Sequence, residues 1–186
     1  MLILAVIIWN VTITASAYMA AYVTTSPASA VANFDLKGVL GMASTAGGLV
    51  GGYLIGGLND RLGADKGLLV AGICGAAGLT TLLVFNSSPV LILCGSFVLG
   101  IFVALNNVQL PAMITCMYGE KDYDRIFPAA SSASSWVGAI SASMWGFIND
   151  FTGGYTVMLV TTAAMSVIAA AIGLVAVKKS KTLARE

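Results

Sequence analysis

Six long runs of apolar residues, separated by short polar breaks, make up almost all of the 186-residue chain. A transmembrane α-helix needs about 20 apolar residues to cross a hydrocarbon core of roughly 30 Å. Each run is close to that length. The pattern therefore predicts membrane-spanning helices at 2–25, 37–58, 67–85, 90–118, 126–148 and 155–177, followed by a polar tail at 178–186.

Two of these runs contain features that need separate interpretation. The sequence ASA at 15–17 resembles the small-residue cleavage site of a signal peptide. However, no Lys or Arg precedes this first run and its hydrophobicity continues to Val23, which favours a helix that is retained. The fourth run contains Pro111, which lacks a backbone N–H, so we expect a kink in that helix.

The composition is typical of a membrane protein, because 58% of the residues are hydrophobic and only 9% are charged. A net charge of +1 leaves no basic face for nucleic acid. The chain has no histidine, the usual general base and the commonest metal ligand, and its cysteines, Cys74, Cys94 and Cys116, are interpreted as packing residues. We expect an all-α transmembrane protein that is not an enzyme and binds no metal or cofactor.

The placement of charges predicts the orientation of the chain. Basic residues are retained on the cytoplasmic side of membrane proteins. If the N-terminus lies inside, every Lys and Arg except Lys37 falls in an inner break or in the tail, so both termini are predicted to be cytoplasmic. The acidic residues also lie at breaks or in the tail. The predicted spans therefore offer neither a proton relay nor a counter-ion for an anionic solute.

The break between the second and third runs, GGLNDRLGADK at 56–66, follows a glycine-rich helix. Glycines spaced four residues apart allow two helix backbones to approach closely in lipid. Asp60 stands where its carboxylate could cap the next helix. The simplest interpretation of the break is a tight turn that carries positive charge on the inner side of the membrane.

The same turn resembles the cytoplasmic loop signature of the major facilitator superfamily, G-x-L-x-D-R-x-G-R-R, which joins the second and third helices of each six-helix half. The matching residues are Gly56, Leu58, Asp60, Arg61, Gly63 and Lys66. Ala64 and Asp65 replace the basic residues that the signature usually carries before Lys66. A second segment, GFINDFTGG at 146–154, resembles the G-x-x-x-D-x-x-G turn between the last two helices of such a half.

This resemblance implies a six-helix bundle like one half, the C-terminal one, of a twelve-helix transporter. It implies transport of a small solute by alternating access across a lipid bilayer, expected to be a bacterial inner (plasma) membrane. A missing N-terminal half or a second copy of the chain would complete the cavity. The chain begins almost inside its first helix, as a fragment of a longer transporter would. A self-sufficient protein that dimerises is the alternative, and channel-like and scaffold functions also stay open.

Polar side chains inside the first run are candidate solute contacts, because an unpaired polar group in hydrocarbon costs several kcal/mol. Asn10, Thr14, Tyr18 and Tyr22 recur every four residues and form one stripe along the helix. Thr14 could instead bond its own backbone one turn back, and Tyr18 could be an anchor at the membrane interface. We favour positions facing the cavity for Asn10 and Tyr18.

The fourth and fifth runs hold further candidates. Asn106, Asn107 and Gln109 come immediately before Pro111. They could pair with carbonyls that the proline frees or bond to a neighbouring helix, but we expect at least one of them to line the cavity. Trp136 is a candidate for stacking on a solute, whereas the small residues around it favour close helix packing.

Arg61 is the candidate for a latch on the inner side of the membrane. We expect it to form charge pairs with Glu120 or Asp124, in the next inner break, when the inner gate is shut. Exposed ion pairs contribute only about 0–1 kcal/mol. Such a latch would bias the conformational equilibrium without locking it.

Overall fold

The computed structural model describes the backbone of residues 2–32 and 35–183, and the side chains of these ranges except 2–6, 30–31, 65, 71, 105–106 and 176–183. This part of the chain consists of helices and short connections. The α-helices are α1 (Leu2–Ala15), α2 (Met19–Thr25), α3 (Pro27–Val31), α4 (Leu36–Leu62), α5 (Ala64–Val84), α6 (Pro89–Tyr118), α7 (Tyr123–Thr152) and α8 (Tyr155–Leu183). A 3-10 helix, Ser16–Tyr18, joins α1 to α2.

The helix ends follow from prolines and glycines in the breaks. Pro27 and Pro89 are the first residues of α3 and α6, where a missing N–H costs no helical hydrogen bond. Gly63, Gly119 and Gly153 follow α4, α6 and α7 with φ values of 91°, 76° and 67°. Positive φ values are unfavourable for residues that have a Cβ atom, so glycine allows the chain to leave each helix at these points.

The predicted all-α transmembrane fold is confirmed. Four helical segments are long and apolar enough to cross a membrane by length and composition: Leu36–Leu62, Lys66–Val84, Pro89–Tyr118 and Tyr155–Val175. At 30 residues, α7 is also long enough, but its serine-rich stretch SSASSWVGAISAS makes it less apolar. The number of six membrane crossings stays a prediction.

Both internal prolines lie within continuous helices. The helix α6 extends through Pro111, and Pro128 lies in the second turn of α7 rather than in the break before it. The carbonyl of each proline accepts a hydrogen bond from a hydroxyl in the next turn. Thr115 Oγ1 donates to the Pro111 carbonyl, and Ser131 Oγ donates to the Pro128 carbonyl. The kink expected at Pro111 stays a prediction.

The helix α6 has two main neighbours in the bundle. It packs along α4 and α5, while α1 packs along α7 and α8, and α5 along α8. Between these two groups Trp9 of α1 stacks on Phe102 of α6, with ring centroids 5.8 Å apart. Contacts of α6 with α1 and α7 are otherwise sparse, which leaves room for a cavity where the three helices diverge.

The backbones of α4 and α6 touch through glycines. A Cβ atom on Gly47 would lie 1.9 Å from the Phe97 carbonyl oxygen, and one on Gly100 would lie 2.1 Å from the Ser44 carbonyl oxygen. No other residue fits at such distances. The glycine spacing in α4 therefore does produce a close helix contact, as the sequence predicts.

Candidate functional site

Three helices, α1, α6 and α7, line an open cavity of about 310 Å³. It is lined by Asn10, Asn107, Leu110, Pro111, Phe127, Ser131, Ser134, Ser135 and Gly138. These residues offer amides and hydroxyls beside apolar surface, and none of them carries a formal charge. The cavity can therefore hydrogen-bond an uncharged polar group while its apolar walls cover the carbon atoms attached to that group.

Three residues of the stripe predicted on the first helix divide into one cavity residue and two helix contacts. Asn10 lines the cavity and its Nδ2 donates to Ser134 Oγ across to α7, at 2.8 Å. Thr14 Oγ1 donates to the Asn10 carbonyl one turn back, the alternative that its position allowed. Tyr18 donates its hydroxyl proton to the Ala142 carbonyl of α7. Neither Thr14 nor Tyr18 is among the lining residues.

The α6 amides point in different directions. Asn107 is exposed and lines the cavity, whereas the Asn106 side chain lies outside the described residues. Gln109 is only 2% exposed and lines none of the described cavities. Its Oε1 accepts from Asn59 Nδ2 at 3.0 Å and its Nε2 donates to the Ala64 carbonyl. Bonding to a neighbouring helix, the alternative considered for these amides, thus describes Gln109.

Asn107 also lines a second, larger cavity. This groove of about 580 Å³ lies between α4 and α6 and is lined by Ser44, Thr45, Gly48, Leu49, Gly52, Tyr53, Gly100, Val103, Ala104, Asn107 and Val108. The Asn107 side chain therefore lies at the boundary between the two cavities. The sequence analysis does not predict the polar residues of α4 in this groove, Ser44, Thr45 and Tyr53, although they share one helix face with Gly48 and Gly52.

The two tryptophans of α7 have opposite environments. Trp136 is 73% exposed and lines none of the described cavities. Trp145 is 1% exposed, and its Nε1 donates to the Val11 carbonyl of α1 at 2.8 Å. Phe127 and Ser135 line the cavity without having been candidates. The sequence could have indicated both residues, because positions 127, 131, 135 and 138 share one face of the helix. The sequence analysis interprets the small residues of this helix only as a packing surface.

The turn between α4 and α5 depends on Gly63, whose backbone has φ 91° and ψ 154°. Arg61, Asp60 and Lys66 are exposed on this turn. The expectation that Asp60 caps the next helix is wrong, since Gly63 is the N-cap of α5 and no side-chain hydrogen bond caps it. A Cβ on Gly56 would meet nothing within 4 Å.

The latch contact is not formed in this conformation. Arg61, Glu120 and Asp124 are all exposed, and these three described residues make no ion pair with one another. Because the latch is expected only when the inner gate is shut, it stays a prediction.

The described ranges contain no group of three or more His, Cys, Asp or Glu side chains that could hold a metal ion. All three cysteines are free thiols, with Cys74 half-buried and Cys94 and Cys116 exposed. The expected packing role is therefore wrong for Cys94 and Cys116, which lie on the surface of the bundle. Two exposed thiols at separate positions are useful attachment points for probes.

Comparison with known proteins agrees with this architecture. The family model for the Major Facilitator Superfamily matches residues 1–186. A relative from Escherichia coli (strain K12), named "Putative metabolite transport protein YaaU", is 33% identical over 132 residues, which are 69% of this chain and 29% of the relative. No solved structure matches the chain significantly. The chain is thus an integral membrane protein that belongs to the major facilitator superfamily, a family of membrane transporters for small solutes.

Proposed function

We propose that the chain forms one half of a transporter that moves a small solute by alternating access, with the cavity between α1, α6 and α7 as its share of the solute site. The observation that carries this proposal is the convergence of Asn10, Asn107 and three serines on one space within an apolar bundle. Amides and hydroxyls are costly in hydrocarbon unless they are paired or face water. A wet solute path accounts for their gathering at one place.

The second half of the site belongs to a preceding six-helix half or to a second copy of the chain. This chain matches 29% of the length of its Escherichia coli relative, so the relative has ample sequence for further helices. In transporters built from repeats, the solute binds at the interface between the repeats. The distribution of Lys and Arg supports a cytoplasmic location for both termini, and a bacterial plasma membrane is the proposed location.

Cysteine labelling tests the cavity. In a background with Cys74, Cys94 and Cys116 replaced by serine, Ser131→Cys in the cavity wall should react with a water-soluble, membrane-impermeant thiol reagent. Ser132→Cys is the matched control, because Ser132 is the next residue of α7, is exposed, and is not among the lining residues. Both variants are assayed in vesicles of either orientation.

The labelling pattern separates the proposed function from its alternatives. Alternating access predicts that Ser131→Cys is labelled from either side of the membrane, and faster than Ser132→Cys. A scaffold protein with a dry helix contact predicts equal, slow labelling of both variants, which would refute the proposal. A channel predicts ohmic conductance in a planar bilayer, which the transporter should not show.

The same assay tests the proposed latch. If Arg61 holds the inner gate shut through Glu120 or Asp124, Arg61→Ala should raise the rate at which Ser131→Cys is labelled from the inner side. An exposed ion pair limits this increase to about fivefold. Lys66→Ala, which removes another exposed basic residue of the same turn, is the control. An equal response to both substitutions would contradict the latch.

A further inference from the structure

One buried amide of α6 holds both sides of the turn between α4 and α5. Gln109 Oε1 accepts a hydrogen bond from Asn59 Nδ2, in the last turn of α4, at 3.0 Å. Gln109 Nε2 donates to the carbonyl of Ala64, the first residue of α5. The turn between these two contacts carries Arg61. A single side chain thus binds the residues that enter and leave the turn.

The space for this contact is created by Gly67 of α5. A Cβ atom on Gly67 would lie 1.9 Å from Asn59 Oδ1 and 3.3 Å from Gln109 Oε1. Asn59 Oδ1 is itself buried and makes no hydrogen bond in the described part of the chain. Burying an unpaired carbonyl oxygen is unfavourable. The Asn59 side chain nevertheless takes this position, in which its Nδ2 reaches Gln109.

Gln109 lies close to two other residues of α6 that line cavities. Asn107, two residues earlier, lines both cavities, and Pro111, two residues later, provides no N–H for the carbonyl of Asn107. A helix that lacks one of its hydrogen bonds bends more easily at that point. Gln109 therefore lies between Asn107 and Pro111, two residues of the cavity wall, and it binds the α4–α5 turn from there.

We propose that Gln109 is a positioning residue that ties the α4–α5 turn to the cavity wall of α6, so that the turn and the wall move together during transport. The coupling to transport rests on the proposed function. The tether itself does not, because both hydrogen bonds exist in the bundle without a solute. Gln109 touches no solute in this role and acts through the position of the turn.

The distance between the turn and α6 tests the tether directly. Spin labels are placed on the native Cys116 of α6 and on Leu62→Cys at the end of α4, with Cys74 and Cys94 replaced by serine, in protein held in lipid nanodiscs. The intact tether should give a narrow distance distribution. Gln109→Leu removes both hydrogen bonds and should broaden it, because losing two buried hydrogen bonds shifts the equilibrium toward the detached turn by roughly tenfold or more.

Two further variants distinguish a tether from a general loss of stability. Ser96→Ala removes another buried polar group of α6, whose hydroxyl bonds only to the Ile92 carbonyl of its own helix, and should leave the distribution narrow. Gln109→Glu should depend on pH. The protonated acid donates its O–H to the Ala64 carbonyl as the amide does, whereas the carboxylate has no proton to donate. The distribution should therefore be narrow at low pH and broad at high pH.

The wild-type chain measured at both pH values controls for any effect of pH that does not depend on residue 109. Unchanged distributions in Gln109→Leu, or a Gln109→Glu variant that does not respond to pH, would overturn the tether. These measurements need no solute and no uptake. A failed tether is therefore distinguishable from a failed transport proposal, which the labelling of Ser131→Cys decides separately.

Discussion

The α4–α6 contact and the α1–α7 contact join neighbouring helices in opposite ways. At α4–α6 the backbones touch because side chains are missing. Gly47 faces Phe97, Gly51 faces Ile101, and a Cβ on either glycine would lie closer than 3 Å to backbone atoms of α6. No polar side chain lies between the closest atoms of this contact, and the groove lined by Ser44, Thr45 and Asn107 runs beside it.

At α1–α7 polar side chains reach from one helix to the other. Asn10 bonds to Ser134, and the indole of Trp145 bonds to a backbone carbonyl of α1. Tyr18, in the 3-10 helix that follows α1, bonds to the Ala142 carbonyl of α7. The first of these pairs also lines the cavity. Because it faces the cavity, the Asn10–Ser134 hydrogen bond can be exchanged for one to water or to a solute at modest cost.

Because of this difference, we expect one contact to be rigid and the other to rearrange. Close-packed backbones lose many van der Waals contacts at once when they shift, so α4 and α6 should behave as a rigid pair. A contact made of side-chain hydrogen bonds beside a cavity can rearrange in discrete steps. We therefore expect the α1–α7 contact to adjust during the transport cycle while the α4–α6 contact stays fixed.

The largest effect should come from adding a methyl group to the rigid contact. Gly47→Ala places a Cβ where only 1.9 Å separates it from the Phe97 carbonyl oxygen, so α4 and α6 must move apart. Overpacking of this kind costs about 1–3 kcal/mol, and the backbone cannot yield as a flexible side chain would. Reversible unfolding in mixed micelles, followed by loss of helical circular dichroism, measures the change in the free energy of unfolding.

Gly52→Ala is the matched control, because it makes the same substitution in the same helix. A Cβ on Gly52 would meet nothing within 4 Å. Alanine is a better helix former than glycine by about 1 kcal/mol, so this variant should be neutral or stabilised. If the two variants had equal stability, the claim that α4 and α6 depend on backbone contact would be lost.

The sequence predicts that α4 uses glycines for a close contact, but it does not predict which ones. Gly47 and Gly51 form one series with a spacing of four, and Gly48 and Gly52 form another. The two series lie about 100° apart around the helix and satisfy the same spacing rule. The structure places the first series closest to α6, where Gly47 meets Phe97 and Gly51 meets Ile101, whereas a Cβ on Gly52 would meet nothing within 4 Å. A partner on another helix cannot be read from the spacing within one helix.

Two of the candidate polar residues, Asn10 and Asn107, lie in the cavity wall, and their contact with a solute stays a prediction. Gln109 follows Asn107 by two residues, a rotation of about 200° around the helix, so the two amides cannot face the same space. Helical geometry alone could have separated them. The partners of Gln109 at Asn59 and Ala64 could not have been found, because they depend on where the α4–α5 turn packs.

A smaller effect is expected from the indole at the α1–α7 contact. Trp145→Phe keeps an aromatic ring in the buried position but removes the hydrogen bond from Nε1 to the Val11 carbonyl. We expect a loss of about 1–2 kcal/mol in the free energy of unfolding, from the bond and the smaller ring. Trp136→Phe, on the exposed face of the same helix, should change stability little. Equal losses for both tryptophans would contradict the assignment of Trp145 to the helix contact.

The smallest effect should come from the hydrogen bond that also faces the cavity. Ser134→Ala removes the acceptor of Asn10 Nδ2, but water in the cavity can take its place, so we expect a loss of only about 0.5 kcal/mol. Ser141→Ala is the control, because Ser141 is also buried on the same face of α7 and bonds only to the Val137 carbonyl of its own helix.

The informative readout is the labelling of Asn107→Cys by a water-soluble thiol reagent. If the α1–α7 contact is the adjustable one, Ser134→Ala should change this rate and Ser141→Ala should not. A large loss of stability without any change in labelling would place Ser134 in a rigid contact and remove the contrast with α4–α6.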